Sequence, residues 1–306
     1  MIRRKKKGIL AAIAATLMIS APDPAAALEE KEPFADVKIT SEQLSDTLYM
    51  LKGAGGNIGV SVGEDGVFII DDQFAPLTDR ILKAVRALSD QPVRFVINTH
   101  WHFDHTGGNE NMAGAGAVVI AHDNVRKRMK TGAFMKAFDR EIKPAPNGAL
   151  PVVTFSKNIS LHLNGEEARV VHIESAHTDG DAIVWFKDSN VMHMGDTFFY
   201  KMYPFIDLQS GGSVDGVIKN AEHVLTHIDD ATKIIPGHGP QTDKAGLQAY
   251  VDMLVAVSGK VAQMKADGMS KDEVLAANPT SVYDANWHTG DAWRDRFVSI
   301  LYEDSK

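Results

Sequence analysis

The sequence predicts an α/β fold: two sheets facing each other, helices covering them outside, and a helical C-terminal segment. Three observations predict it. Short apolar runs of strand length recur in both halves of the chain. Segments with helical spacing of apolar residues lie between them. From about residue 243 the pattern turns mostly helical, with a break at Asn278-Pro279.

Residues 1–27 are set aside from the fold. Arg3, Arg4, Lys5, Lys6 and Lys7 precede an apolar run at residues 9–19, and Ala25-Ala26-Ala27 follow. The apolar run is too short to cross a bilayer, which takes roughly 20 residues. This order is that of a secretory signal peptide, so the mature chain is expected in the periplasm or outside the cell, without a stable membrane anchor. Removing its five Lys/Arg and Asp23 leaves 27 basic and 39 acidic residues, a net charge of about −12 instead of −8. A chain so acidic is not built to hold polyanions, and a nucleic-acid partner is not expected. There are no cysteines, hence no disulfide, thiolate ligand or cysteine nucleophile.

The elements follow in order. Residues 28–42, acidic and Pro-bearing, read as a loose lead-in, so the folded domain is expected over residues 43–306. Residues 47–51 and 58–62 read as strands, and Gly63-Glu64-Asp65-Gly66 as a turn into a strand at 67–70. Leu77, Ile81, Leu82, Val85 and Leu88 share one helical face, with Thr78 or Asp79 as the cap. Residues 93–97 and 118–121 read as strands, and Asp123 as the cap of a short basic helix. Residues 131–150 read as an irregular insertion, either beside a site mouth or a plain surface loop. Strands are predicted at 159–163, 168–173, 182–186, 191–194 and 233–235, with a helix over 214–228.

The chemistry concentrates where the strand at 93–97 ends. In Asn98-Thr99-His100-Trp101-His102-Phe103-Asp104-His105-Thr106-Gly107-Gly108-Asn109, three imidazoles and a carboxylate occupy six consecutive positions. In an extended run alternate residues share a face, which groups His100, His102 and Asp104; His105 swings in with the turn at Thr106-Gly107-Gly108. Such crowding is the mark of a metal site. Three further candidates, His177, Asp196 and His238, each follow an apolar strand and sit in a Gly-containing loop. With no thiolate available, His and carboxylate are the ligands. They suit zinc, and iron or manganese also accept them.

The His-x-His-x-Asp-His segment, then His177, Asp196 and His238 in that order, resembles the metallo-β-lactamase superfamily over about residues 44–241. The resemblance implies a four-layer αβ/βα sandwich with two Zn2+ ions at one edge. It implies that His100, His102 and His177 hold the first ion, that Asp104, His105 and His238 hold the second, and that Asp196 bridges them. A metal-bound hydroxide would then be the nucleophile, oriented by Asp104, which also shuttles the proton. Asp71, at the end of the strand at 67–70, resembles the superfamily's first acidic position, a support behind the ligands; the plainer alternative is a strand-end turn residue.

The resemblance implies a hydrolase acting on a small molecule. A β-lactam is the first candidate, with a lactone or a thioester as the alternative. The best-known β-lactamases of the superfamily carry a cysteine where Asp196 stands and, three residues later, a lysine where Phe199 stands. An iron-dependent oxidoreductase is the alternative of another class, and a binding protein that kept the fold is a further one. The other histidines, His122, His162, His172, His193, His223, His227 and His288, read as structural. Trp101 and Phe103 read as packing residues. Residues 198–205 read either as pocket lining or as cover for the sheet edge.

Overall fold

The structure is a computed structural model and describes residues 34–287 and 289–305. The expected signal peptide (residues 1–27), the first part of the expected lead-in (28–33) and His288 therefore lie outside the described residues. A compact unit runs from Asp36 to the end of the described residues.

The chain starts its first sheet with β1 (Thr40–Gln43), β2 (Leu48–Lys52), β3 (Ile58–Ser61) and β4 (Val67–Ile70), antiparallel in sequence order. Helix α1 (Thr78–Arg86) leads to β5 (Val93–Ile97), which lies parallel to β4. The short helices α2 (Phe103–Thr106) and α3 (Asn109–Gly114) precede β6 (Val118–His122), and α4 (Asp123–Thr131) follows it. A two-stranded hairpin, β7 (Ala133–Met135) with β8 (Arg140–Ile142), stands apart before β9 (Val153–Phe155). The sheet order is β1-β2-β3-β4-β5-β6-β9. β3 and β4 are buried at every residue, as strands covered on both faces are.

The second sheet has β10 (Asn158–Leu163), β11 (Glu166–His172), β12 (Ala182–Phe186) and β13 (Val191–His193) in antiparallel order. After α5 (Val214–Leu225), β14 (Lys233–Ile235) joins parallel to β13. The C-terminal segment is α6 (Lys244–Ala266), α7 (Lys271–Ala276), α8 (Asp284–Trp287) and α9 (Asp291–Asp304). Asp243 caps α6 by accepting from the Gly246 amide at 3.0 Å.

Two cores hold the layers. Between the sheets, Met50, Phe68, Ile70 and Ile97 meet Val170, Val184 and Phe186, with the Phe68 and Phe186 rings stacked at 5.8 Å. On the outer side of the second sheet, Met192 and Ile234 meet Val217 and Val224 of α5, Leu254 of α6 and Phe297 of α9. The helical tail thus buries its apolar face on the sandwich. Among the described residues no helix is long and apolar enough to cross a membrane.

Four local expectations are corrected. Thr40–Gln43 pairs with β2, so the end of the predicted lead-in is an edge strand. Neither Thr78 nor Asp79 caps α1: the chain enters through the turn Ala75–Leu77, set by Pro76, and Leu77 stands at the N-cap without a side-chain bond. β6 runs one residue further than read, so His122, not Asp123, caps α4 by accepting from the Asn124 amide at 3.3 Å. The predicted irregular stretch 131–150 contains the β7–β8 hairpin.

Candidate metal centre

Every candidate ligand sits where a strand leaves its sheet. β5 ends at Ile97, residues 98–102 pass over the sheet edge, and α2 begins with His102 at its N-cap. Asp104 is therefore not the third residue of an extended run, as its spacing suggested. It shares one helical turn with His105, so neighbouring side chains reach one place. The end of β4 enforces this turn. The Asp72 amide donates to His105 O (3.0 Å), and the Gly108 amide donates to Asp72 Oδ1 (2.9 Å).

The other ligands arrive on separate loops. His177 follows β11, where the Asp181 carboxylate accepts from the His177 and Thr178 amides (2.6 and 2.8 Å). Asp196 follows β13 in the turn Gly195–Thr197. His238 follows β14, where the Asn57 amide group bonds Pro236 O and Gly239 O, both at 2.8 Å. Two glycines leave room: a Cβ at Gly56 would lie 2.1 Å from the His105 ring, and one at Gly237 would lie 2.0 Å from Asp196 Oδ1.

The structure brings all seven residues together as two groups. His100, His102, His177 and Asp196 form one, and Asp104, His105 and His238 the other, with ligand atoms in each group within 4.8 Å of one another. Asp196 lies between the groups. Its oxygens stand 3.7 Å from His100 Nε2 and 3.6 Å from His177 Nε2, and 3.1 Å from His105 Nε2 and 3.5 Å from His238 Nε2.

The outer ring nitrogens are taken. His102 Nε2 bonds Asp207 Oδ2 (3.1 Å), His177 Nδ1 bonds Phe205 O (2.8 Å) and His105 Nδ1 bonds Asp71 Oδ2 (2.7 Å). His100 Nδ1 lies 3.0 Å from Thr99 Oγ1, whose hydroxyl donates to Asp71 Oδ2 (2.8 Å). With those protons facing outward, lone pairs face inward. His102 Nδ1 and His177 Nε2 stand only 2.9 Å apart. Two neutral imidazole lone pairs at that distance repel unless a cation lies against both. His100 Nε2 is buried without a hydrogen-bond partner. So is Asp196 Oδ1, which faces His105 Nε2 out of line for a hydrogen bond. This donor set fits a metal ion.

Electrostatics divide the site. Burial, reinforced by the neighbouring His105, pushes His100 well below the usual imidazole range, and burial takes His177 down to about 4. Burial opposes charge on the second group as well, but the carboxylates prevail there. Asp196 and Asp104 hold His105 well above its ordinary value, and Asp196 leads in bringing His238 up to about 9. Asp104 is correspondingly held at about 2 against burial, by His105 and His238. A cation entering the second group displaces protons.

A sequence model of the metallo-beta-lactamase superfamily matches residues 51–246, which include all seven of these positions. The chain belongs to the metallo-beta-lactamase superfamily. Members of this superfamily are metal-dependent hydrolases, and the metal is typically zinc. A hydroxyacylglutathione hydrolase of Polaromonas sp. is 29% identical over 166 residues, 53% of this chain and 55% of that protein. A beta-lactamase-like protein 2 homolog of Caenorhabditis elegans is 24% identical over 200 residues, 64% of this chain and 56% of that one. The chain thus spans about half the length of these curated relatives. A metallo-beta-lactamase from Pontibacter korlensis superposes with a TM-score of 0.57 at 17% identity, covering 71% of this chain and 99% of that one, a likeness of fold.

Several residues of this superfamily site escape the sequence reading. Phe103 packs against the core as read and also lines the cavity over the ligands, whereas Trp101 is buried in the core. Within residues 198–205 the roles split: Phe199, Met202 and Phe205 line the cavity, while Phe198 and Tyr203 are buried in the core. The Phe199 ring stacks on His238 at 5.0 Å. His122 and His193 are structural as read: His122 stacks on His172 at 3.6 Å, and His193 Nε2 bonds Asn57 O. Asp207 was missed altogether. Its one signal is a lone carboxylate in the apolar stretch Pro204-Phe205-Ile206-Asp207-Leu208. Burial works against its charge, but the His102 hydrogen bond and charge hold it at about 2. Asp207→Ala is expected to free the His102 ring to turn and to lower metal affinity about 10- to 100-fold. Competition with a chromophoric chelator reads this directly; unchanged affinity means that His102 is held without Asp207.

Proposed function

We propose that the chain is a two-zinc hydrolase that opens small, neutral, largely apolar cyclic esters, with cyclic amides as the related class. The inward-facing lone pairs of His100, His102 and His177 around Asp196 carry the metal reading. In this reading His100, His102 and His177 would hold one ion through their inward-facing nitrogens, Asp104, His105 and His238 would hold the second, and Asp196 would be shared. Once bound, the metal pair supplies an activated water at neutral pH and polarises the scissile carbonyl.

The chain's own residues do the rest. Asp104 lines the cavity, orients the attacking water, accepts its proton and returns it to the leaving oxygen or nitrogen. Asp71 and Asp207 fix the tautomers of His105 and His102. Phe74, Phe103, Phe138, Phe199, Phe205 and Trp293 wall a cavity of about 190 Å³ over the ligands and make it largely apolar. Among the described residues no lysine or arginine lines this cavity. A neutral acyl group meets these apolar walls without cost, whereas a carboxylate on the substrate finds no cationic side chain in the lining. The basic, apolar and small-residue order of residues 1–27 supports work in the periplasm or outside the cell.

A second reading, a β-lactam, is favoured by Arg140. Its guanidinium carbon sits 4.1 Å from the ring centroid of Phe103, which lines the cavity. Turnover by the zinc-loaded chain of an alkyl-substituted lactone, S-lactoylglutathione and a chromogenic cephalosporin decides between them. The lactone is expected to lead in kcat/KM by about tenfold or more. Faster thioester cleavage overturns the apolar-ester reading. Faster cephalosporin opening that Arg140→Ala abolishes moves the assignment to β-lactams.

A further inference from the structure

A second cavity, of about 530 Å³, opens on the outer face of the second sheet beneath α5, away from the metal ligands. The strand register explains its floor. Ala168, Val170, Ala182 and Val184 point into the core between the sheets, so the alternate residues Val171, Ile183 and Trp185 face outward, with Met192 of β13 beside them. α5 passes over this face and contributes Asn220 and Val224 as the opposite wall.

The cavity is not a plain apolar groove. Asn220 is 7% exposed, yet neither atom of its amide has a hydrogen-bond partner. The indole Nε1 of Trp185 is likewise buried and without a partner. Buried polar groups are nearly always satisfied, and two unsatisfied donors lining one cavity call for an acceptor inside it. The mouth carries one cation without an ion-pair partner among the described residues. Lys219 is engaged with Asp215 at 2.5 Å, but Arg169, exposed and directly across the ladder from Trp185, makes no ion pair among the described residues. Glu174 is the one acid in the lining.

We propose that this cavity is a second ligand site, for a small aromatic carboxylate. The ring lies on the apolar floor of Ile183, Met192 and Trp185. The carboxylate accepts from Asn220 Nδ2 and Trp185 Nε1 and meets the Arg169 charge. The site shares no residue with the metal centre and stands apart from the hydrolase reading.

Isothermal titration of the zinc-loaded chain with 2-naphthoate tests it. The expected result is one saturable site that survives chelation of the metal and binds neutral 2-naphthamide about tenfold more weakly. Arg169→Gln, at an exposed position, costs about tenfold in affinity. Asn220→Leu removes binding and leaves thermal stability equal or higher, because it removes an amide without partners. Binding that disappears with the metal, or that both variants leave unchanged, overturns the proposal. So does the absence of saturable heat up to millimolar ligand. If Asn220→Leu does not fold, Arg169→Gln and the amide comparison still decide.

Discussion

Replacing Asp196 by alanine is expected to remove a metal ion and the activity together. Metal content falls from about two ions per chain to about one, and kcat falls on the order of 10²- to 10⁴-fold. The size of the effect follows from its position. The carboxylate lies within 3.7 Å of ring nitrogens from both ligand groups. Without metal it is also the first charge holding His105 and His238 protonated. Alanine therefore removes the proposed shared ligand and leaves four buried imidazoles facing one another. Elemental mass spectrometry and steady-state kinetics on the same preparation read both quantities. Metal content unchanged beside lost turnover would show that Asp196 acts in the chemistry and does not hold the ions.

Asp71→Ala is expected to act on folding first and on activity through it. Asp71 is fully buried, with φ at 65°. It accepts from the Thr99 amide (2.7 Å), the Thr99 hydroxyl (2.8 Å) and His105 Nδ1 (2.7 Å). Alanine strands these donors inside the protein, and loss of one partner of a buried ion pair costs about 3–5 kcal/mol. Because Thr99 also fixes His100, both ligand groups loosen, and metal affinity falls about 10- to 100-fold. Asp71→Asn keeps an acceptor for Thr99 but loses the charge against His105, so it falls between wild type and alanine. Urea unfolding of the three proteins orders them. If alanine unfolds at the wild-type midpoint, Asp71 is the plain strand-end residue that its sequence position also allowed.

The contrast between Asp71 and Asp207 shows what the sequence made legible. Asp71 ends the apolar strand at 67–70, where it resembles the superfamily's first acidic position, and that resemblance drew attention to it. Asp207 lies in a loop far along the chain from the ring it holds, and only the fold brings it there. The seven clustered residues were legible because metal binding demands particular residue types, and each follows an apolar strand into a glycine-bearing loop. The path of the chain among them was less so. Residues 100–104 alternate as a strand would, yet tethering of Asp72 to His105 and Gly108 makes Asp104 part of a helical turn. The cavity wall was hardest to read. Phe138 comes from the hairpin at 133–142 and Trp293 from the last helix, where it bonds Tyr203 O at 2.7 Å. No local pattern encodes where a tail docks. The layers were legible because strand and helix periods come from buried faces, whereas edge strand β1, largely exposed, shows no such period.

The central claim is that these seven side chains hold two zinc ions which the hydrolysis requires. The most direct test is elemental mass spectrometry of the purified chain, with lactone turnover followed through chelation and return of the metal. About two zinc ions per chain, activity lost as they leave and restored by zinc, is the predicted result. Full turnover with one ion or none, or restoration by iron and not by zinc, would contradict it.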